Sequence, residues 1–310
     1  MAFSIRKGDT VHTTKHMTQR SDGLLAYRSN VTSSDGEDGI IEHIIEVIGA
    51  ESKWCVELGA LNGTHDSNTW NLIRNKGWSG VLIEADPTYF EKLQKEYEPD
   101  PGAVCVNAFV SFEGKQSLDA IFEQTPLPKE FDLFSLDVDG NEYHLWQSLA
   151  HYWPRAMVVE FNPSIPNSIS FIQPRNMTVY QGSSLRALTD LAREKGYELV
   201  AANSVNAFFV LKELFPKFGI ADNSLDALHA DRSFETTIFQ LYDGTLKIAG
   251  NTNLIWHRLP IDEEKLQVLS KRKRVYPAMI SASSFIRACK YAVRKLPFYP
   301  FVQRLRKRFV

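Results

Sequence analysis

Four acidic side chains stand at or next to the ends of apolar runs in this sequence of 310 residues. Glu57 lies in WCVEL, Glu84 ends GVLIE, Asp137 follows FDLFSL and Glu160 ends AMVVE. Continuous apolar runs of this kind are typical of strands that are buried on both faces of a parallel sheet. Because ligands bind outside the carboxyl ends of such strands, these carboxylates are placed to hold a ligand or to do acid–base chemistry.

The loop after the first run indicates the kind of ligand. Gly59 and Gly63 let the backbone approach a ligand closely, but Leu61 stands where a dinucleotide-binding fingerprint needs its second glycine. An acid ahead of this loop, Glu57, disfavours a pyrophosphate and favours a cationic group. Glu84 is placed to accept hydrogen bonds from two ribose hydroxyls. A nucleoside with positive charge, such as S-adenosylmethionine, suits both acids, although each acid alone is also consistent with a helix cap or a turn.

Asp137 and Asp139 allow several interpretations. The simplest for Asp139-Gly140 is a turn in which Asp139 or Asn141 caps the next helix. A carboxylate at the edge of a sheet beside a ligand loop is costly unless it is paired, which favours a functional role for Asp137. We therefore take Asp137 and Asp139 as candidates for catalysis, with the turn as the alternative for Asp139.

Two chemistries remain open for Asp137. Together with Glu160 and Asn162 it forms an all-oxygen set of the kind that Mg²⁺ prefers, and a bound Mg²⁺ would orient an acceptor hydroxyl and lower its pKa. Without a metal, a side chain must act as the general base. The nearest histidines are His144, one turn into the following helix, and His65.

The elements that position these residues follow from the periodicity. Apolar runs alternate with helical patterns from residue 35 onward, which predicts an α/β fold with a doubly wound, mostly parallel sheet. The last two strands, ELVAAN and AFFVLKEL, are separated by only a short turn and predict a hairpin-like ending. The predicted helices include residues 35–49, 64–78 and 183–197, and a helix opened by Asp86-Pro87.

Composition divides the chain into four segments. Residues 1–34 predict an arm or lid, and residues 35–214 a ligand-binding domain. Residues 215–270 predict an appended segment with a β-hairpin at Asp243-Gly244, and residues 271–310 a basic tail with twelve Lys or Arg and no acid.

The basic tail predicts an anionic partner. Residues 283–296 place apolar side chains on one stripe of a helical pattern among bases, which is typical of helices that lie on an anionic membrane surface. Packing on the acidic body of the protein and RNA binding are the alternatives, and the tail lacks the pattern of any known RNA-binding module. With no signal peptide, no long apolar run and three cysteines without metal-like spacing, we expect a cytoplasmic protein, with membrane association at the inner surface.

Four segments, in their order and spacing, resemble the motifs of class I S-adenosylmethionine-dependent methyltransferases, most closely those of the FkbM-type branch: VELGALNGT, GVLIEADPTYFEKL, VCVNAFVS and FSLDVDGNEYHLW. The resemblance covers about residues 35–212 and implies a Rossmann-like fold with S-adenosyl-L-methionine as cofactor. It implies O-methyl transfer to a sugar hydroxyl of a glycan or glycolipid, because the FkbM-type branch is often found with polysaccharide pathways. The resemblance implies that Glu57, Gly59 and Gly63 line the methionine end of the cofactor, that Glu84 binds its ribose, and that Asn107 and Ala108 lie by its adenine. We count Ala60 and Ala85 of the same segments among the cofactor-binding candidates. Asn62, Ser67 and Asn68 are candidates for holding the cofactor carboxylate at a helix N-terminus, with capping of that helix as the alternative.

Three alternatives stay open beside this resemblance. The metal hypothesis is similar to the cation-dependent catechol-type methyltransferases, although those place an adjacent Asp-Asn pair on the fifth strand. A nucleotide-binding scaffold of polysaccharide assembly would keep the fold and lack transfer. An RNA methyltransferase would use the basic tail.

Overall fold

The structure is a computed structural model that describes residues 23–276, and these form two compact units. The first unit comprises residues 23–162 and 170–230, and the second comprises residues 163–169 and 231–276.

Several predictions for the chain ends fall outside the described residues. These are the first 22 residues of the predicted arm and the amphipathic stripe at 283–296 in the basic tail. The described end of the arm, residues 23–34, belongs to the first unit, and so do residues 215–230.

The first unit contains a seven-stranded sheet flanked by helices. Its strands are β1 (Trp54–Leu58), β2 (Ser79–Glu84), β3 (Ala103–Asn107), β4 (Glu130–Leu136), β5 (Trp153–Glu160), β6 (Tyr197–Ala202) and β7 (Asn206–Leu211). Its α-helices are α1 (Glu37–Ile48), α2 (Trp70–Lys76), α3 (Pro87–Tyr97), α4 (Leu118–Phe122), α5 (Glu142–Ser148), α6 (Leu185–Glu194) and α7 (Leu225–Leu228). Short 3-10 helices lie at Gly23–Tyr27, Gly114–Gln116 and Phe215–Phe218.

The strand order is β3-β2-β1-β4-β5-β7-β6. All neighbouring strands are parallel except that β7 runs antiparallel to β5 and to β6. This confirms the predicted fold class, a doubly wound, mostly parallel sheet with a hairpin-like last strand pair. It is the Rossmann-like methyltransferase fold.

Both faces of the sheet are buried, because successive side chains of each strand point to opposite faces. In β4, Phe134 packs in a core with α4, α5 and α6, whereas its neighbour Leu133 packs in a second core with α1, α2 and α3. This explains why the strands read as continuous apolar runs. It also leaves the strand ends as the places where polar side chains reach a ligand.

The helix ends follow the predicted signals. Asp86 caps α3 by accepting the backbone N–H groups of Thr88 at 2.8 Å and Tyr89 at 3.0 Å, and Pro87 is the first helical residue. Gly49 ends α1 at φ 77°, with its N–H bonded to the Ile45 carbonyl.

A buried ion pair closes the amino edge of the sheet. Asp132 in β4 is fully buried, and its carboxylate accepts a hydrogen bond from Nη1 of Arg155 in β5 at 2.7 Å. The same carboxylate accepts the backbone N–H groups of residues 51–53, which lead into β1. One side chain therefore ties together three neighbouring strands.

We expect Asp132→Asn to lower the free energy of unfolding by roughly 3 kcal/mol, because the buried Arg155 loses its buried charged partner and keeps only the exposed Glu51, 2.9 Å from its Nη2. Urea denaturation measures this loss. Glu130→Gln, an exposed change in the same strand, is the matched control and should cost little. Equal decreases in the free energy of unfolding of the two variants would contradict a stabilising role for the Asp132–Arg155 ion pair.

The second unit carries the predicted hairpin. Strands β8 (Thr236–Gln240) and β9 (Leu246–Gly250) pair antiparallel on either side of Asp243-Gly244, as the turn sequence predicts. A shorter antiparallel pair follows, β10 (Asn253–Leu254) and β11 (Leu259–Pro260). Across residues 23–276, no helix is both long and apolar enough to cross a membrane.

Candidate functional site

A cavity of about 370 Å³ lies at the carboxyl ends of β1, β2, β4 and β5. It brings together ten of the predicted site residues: Glu57, Gly59, His65, Asn68, Glu84, Ala85, Ala108, Asp137, Asp139 and Glu160. The strand-end acids therefore share one cavity, as the sheet topology requires of parallel neighbours.

Glu57 is buried, and its carboxylate accepts three hydrogen bonds from the segment after the glycine loop. The donors are the backbone N–H of Asn68 at 2.6 Å and the hydroxyls of Ser67 at 2.7 Å and Thr69 at 2.9 Å. Burial raises the pKa of Glu57 to about 7, and the hydrogen bonds oppose this rise. The carboxylate is thus fixed in place at the base of the cavity.

These contacts explain why α2 is shorter than predicted. The predicted helix covers residues 64–78, whereas α2 begins at Trp70, so the predicted start was wrong. The polar groups of residues 67–69 bind Glu57, and the Ser67 hydroxyl also accepts the N–H of Trp70 at 3.1 Å. Residues 67–69 therefore hold the buried Glu57 carboxylate by hydrogen bonds and are not part of α2.

Glu84 is held by the backbone at the end of β2. Its Oε2 accepts the N–H of Leu61 at 2.8 Å, and its Oε1 accepts the N–H of Asp86 at 2.7 Å. Each carboxylate oxygen has a second lone pair, so both can still accept a ligand hydroxyl. Glu84 is therefore pre-oriented for the diol of a ribose.

The glycine loop is shaped by close approaches. Leu61 has φ 46°, a left-handed conformation that costs energy in a residue with a side chain, and its N–H contact with Glu84 holds it there. Gly59 has φ 88°, and a side chain on it would collide with the carbonyl oxygen of Asp137. Gly59 thus lets the loop pack directly on the end of β4.

The other predicted cofactor residues are not among those that line the cavity: Ala60, Asn62, Gly63, Ser67 and Asn107. The Asn62 side chain accepts the N–H of His65 at 2.9 Å, and Asn107 donates to the Glu84 carbonyl at 2.8 Å. A Cβ on Gly63 would lie 2.7 Å from the Tyr97 ring. In this structure these residues support the loop and the strand ends.

Three carboxyl groups form an acid cluster, which comprises Asp137, Glu142 and Glu160. One oxygen of each lies within 4.8 Å of those of the other two. Asp137 and Glu160 hydrogen-bond each other, so they share a proton. Burial, reinforced by the neighbouring acids, raises the pKa of Asp137 to about 6 and that of Glu142 to about 7, and it raises the pKa of Glu160.

The acid cluster makes stability depend on pH. Its pKa values in the folded state lie above their ordinary values, so the folded protein binds more protons than the unfolded chain between about pH 4 and pH 7. The contribution to stability is complete below the unfolded pKa and is lost as pH rises through 6 and 7. We expect the free energy of unfolding, measured in urea, to fall between pH 5 and pH 8.

Glu142→Gln tests the origin of this fall. The amide keeps an acceptor for the N–H groups of Val138 and Gly140, which Glu142 now binds at 3.1 and 2.7 Å, and it carries no charge. The variant should recover roughly 3 kcal/mol at pH 8. The exposed Glu46→Gln should leave the pH profile unchanged, and identical profiles in wild type and Glu142→Gln would refute the assignment.

The predicted Mg²⁺ ligands are only partly brought together. Asn162 is not part of the cavity wall, and its Nδ2 donates to the Gln181 carbonyl at 2.7 Å. Glu142 stands with Asp137 and Glu160 in its place. The metal stays a prediction, with these three acids as the ligand set that the geometry offers.

The two histidines proposed as bases lie in different environments. His144 is buried and does not line the cavity. Its Nε2 lies 2.8 Å from the Gln173 carbonyl oxygen, which can only accept, so Nε2 carries the proton. His65 lines the cavity, where its Nδ1 lies 3.0 Å from Asp66.

Sequence reasoning missed several residues of the cavity wall, among them Asn141, Met177 and Tyr180. Asn141, considered only as a helix cap, lines the cavity and makes no side-chain capping bond to α5. Met177 and Tyr180 come from a segment without helical or strand periodicity, so no pattern singled them out.

Comparison with known proteins gives few strong matches. No family model and no curated protein matches the sequence. Among solved structures, a protein assigned as a sarcosine dimethylglycine methyltransferase from Galdieria sulphuraria is 17% identical, with a TM-score of 0.37 over 53% of this chain and 62% of its own. The chain thus covers less than two thirds of that protein.

Two further matches are of the same quality. The N-terminal domain of EvdMO1, solved with SAH bound, is 15% identical over 57% of this chain and 81% of its own, with a TM-score of 0.37. The CurJ carbon methyltransferase is 10% identical over 60% of this chain and 56% of its own, with a TM-score of 0.41. Identities and TM-scores this low carry no functional argument, and the fold rests on the strand order.

Proposed function

We propose that this protein is an S-adenosylmethionine-dependent methyltransferase that methylates an oxygen, with a sugar hydroxyl of a glycan or lipid-linked saccharide as the acceptor. One observation carries the proposal: Glu57 and Glu84, at the ends of the neighbouring strands β1 and β2, line the same cavity. The resemblance to the FkbM-type branch supports the sugar acceptor.

The charge of the cavity favours a cationic ligand. Its described wall includes six acidic side chains and no Lys or Arg: Glu57, Asp66, Glu84, Asp137, Asp139 and Glu160. One proton is shared by Asp137 and Glu160, and the remaining acids still leave the wall negative. A nicotinamide dinucleotide or a nucleoside triphosphate carries phosphate charges that these acids would repel. S-adenosylmethionine carries a sulfonium and an ammonium group, so its charge matches the wall.

The shape of the wall fits the parts of this cofactor. Glu84 offers two oxygens to the ribose hydroxyls, and the small side chains of Ala85 and Ala108 leave room beside them for an adenine. Glu57 and Asp137, next to the β1 and β4 ends, would hold the ammonium and sulfonium end.

The residues of this chain supply orientation and a proton acceptor. The bound cofactor supplies an electrophilic methyl group. Asp137 is placed to accept the proton of the acceptor hydroxyl, and its hydrogen bond with Glu160 fixes the direction of its carboxylate. Because methyl transfer is in line, most of the rate gain comes from such positioning.

Isothermal titration calorimetry with S-adenosylhomocysteine tests the proposal. We expect one binding site in the folded wild-type protein. Absence of binding at millimolar ligand, with folding verified by circular dichroism, would contradict it and favour the scaffold alternative.

The membrane-surface role of residues 271–310 stays a prediction, which liposome sedimentation of the full chain would test.

A further inference from the structure

One loop forms the side of the cavity next to β4 and β5, and the buried side chain of its first residue makes three hydrogen bonds within it. We define the Gln173 loop as residues 173–182. Gln173 is 1% exposed, and its Oε1 accepts the backbone N–H groups of Gln181 at 3.0 Å and Gly182 at 2.9 Å. Its Nε2 donates to the Val179 carbonyl at 3.0 Å. The side-chain amide thus fixes the far end of its own loop.

The Gln173 loop is also packed on the turn between β4 and α5. Nδ2 of Asn141 donates to the Val179 carbonyl at 3.2 Å. A Cβ on Gly140 would lie 2.9 Å from Oε1 of Gln173 and 3.2 Å from Cα of Tyr180, so the contact leaves no space for a side chain. These contacts therefore fix the Gln173 loop beside Asp137 and Asp139.

The Gln173 loop and the turn before α5 each place one side chain in the cavity wall that is suited to contact a ligand. Tyr180 is 65% exposed although it lines the cavity, so most of the residue is accessible to a ligand. Oδ1 of Asn141 is buried and has no hydrogen-bond partner among residues 23–276, although Asn141 lines the cavity. An unpaired buried acceptor costs about 1–3 kcal/mol, and a ligand hydroxyl would remove that cost.

The strand order separates this surface from the nucleoside. Glu84 on β2 and Glu57 on β1 mark one half of the cavity, and Asp137, after β4, and Glu160 on β5 mark the other. The Gln173 loop borders the second half. A molecule there would meet the methyl end of a cofactor that is bound by the first half.

We propose that the Gln173 loop is the acceptor-recognition wall and that it selects an uncharged sugar ring. Tyr180 packs its ring against the apolar face of the sugar, and Asn141 Oδ1 accepts one of its hydroxyls. The acids of this half accept further hydroxyls, whereas they repel a uronate or a phosphate, since none of the described residues that line the cavity is Lys or Arg. The one Arg of the loop, Arg175, is not a lining residue, and its guanidinium lies 4.8 Å from the centre of the Phe112 ring. The inference rests on the proposed function, and it adds that the acceptor sugar is uncharged and which residues contact it.

Saturation-transfer difference NMR in the presence of S-adenosylhomocysteine tests this inference. The probes are the methyl glycosides of glucose, galactose, mannose and rhamnose, with methyl glucuronide as the charged counterpart. We expect saturation transfer to at least one neutral glycoside and none to the glucuronide. Tyr180→Ala should weaken the binding of that glycoside roughly tenfold, whereas Tyr180→Phe should bind as wild type.

The controls separate this inference from the proposed function. Tyr89→Ala removes an exposed tyrosine of α3 that is not among the lining residues, and it should change nothing. S-adenosylhomocysteine binding with no glycoside signal, a preference for the glucuronide, or a signal unaffected by Tyr180→Ala would each overturn the inference alone. Failure of the wild-type protein to bind S-adenosylhomocysteine would overturn the proposed function, and this inference with it.

Discussion

Asp137→Asn is expected to lower kcat for methyl transfer by about 10²- to 10⁴-fold, the range that a general base contributes. The amide keeps the size of the side chain and loses its ability to take a proton from the acceptor hydroxyl. Transfer of a radiolabelled methyl group to a glycoside that the wild-type protein methylates measures this loss. The dissociation constant of S-adenosylhomocysteine should change much less, because the ribose half of the cavity is untouched.

A measurement of the free energy of unfolding distinguishes a loss of kcat caused by the missing base from one caused by misfolding. Because the carboxylates of Glu160 and Glu142 lie close to Asp137, the asparagine variant should be at least as stable as wild type at pH 8. Asp139→Asn is the matched control, since Asp139 lines the same cavity but is exposed in a turn. Equal kcat values for wild type and Asp137→Asn would remove Asp137 as the base. If EDTA also abolishes transfer by the wild-type protein, the acid cluster acts through a metal.

The fold could be predicted because its determinants are local. Buried parallel strands need apolar runs on both faces, and each helix carries its own boundary signal, such as Asp86-Pro87 at the start of α3. The positions of Glu57, Glu84 and Asp137 in one cavity then follow from topology alone.

The sequence could not predict features that depend on a contact between residues distant in the chain. The start of α2 depends on the buried carboxylate of Glu57, ten residues before Ser67, which takes the polar groups that would otherwise continue the helix. Glu142 joined the acid cluster although it reads as an ordinary residue of a first helical turn. Neither contact produces a helical or strand periodicity that could be recognised in the sequence.

The acceptor side of the cavity was the least accessible to sequence reasoning. The Gln173 loop is held by hydrogen bonds of the Gln173, Asn141 and Asn162 side chains to its backbone groups, and backbone groups carry no sequence signal. Tyr180 faces the cavity only because this loop is fixed on Gly140. The half of the cavity that we propose for the cofactor is thus encoded in strand ends, whereas the half that we propose for the acceptor is encoded in loop packing.

Glu84→Ala is expected to raise the dissociation constant of S-adenosylhomocysteine by about 10²- to 10⁴-fold, because two charge-assisted hydrogen bonds to the ribose contribute about 1.5–3 kcal/mol each. Calorimetry measures the change. The variant also removes the acceptor for the N–H groups of Leu61 and Asp86, so part of the loss could come from a disturbed loop.

A ligand-side change separates these two causes. The 2′-deoxy analogue of S-adenosylhomocysteine lacks one of the hydroxyls that Glu84 is expected to bind. Wild type should bind the analogue more weakly than the parent ligand, whereas Glu84→Ala should bind the two equally, which is the signature of a direct contact in a double-mutant cycle. If the analogue is penalised equally in both proteins, Glu84 only shapes the loop, and the ribose is held elsewhere in the cavity.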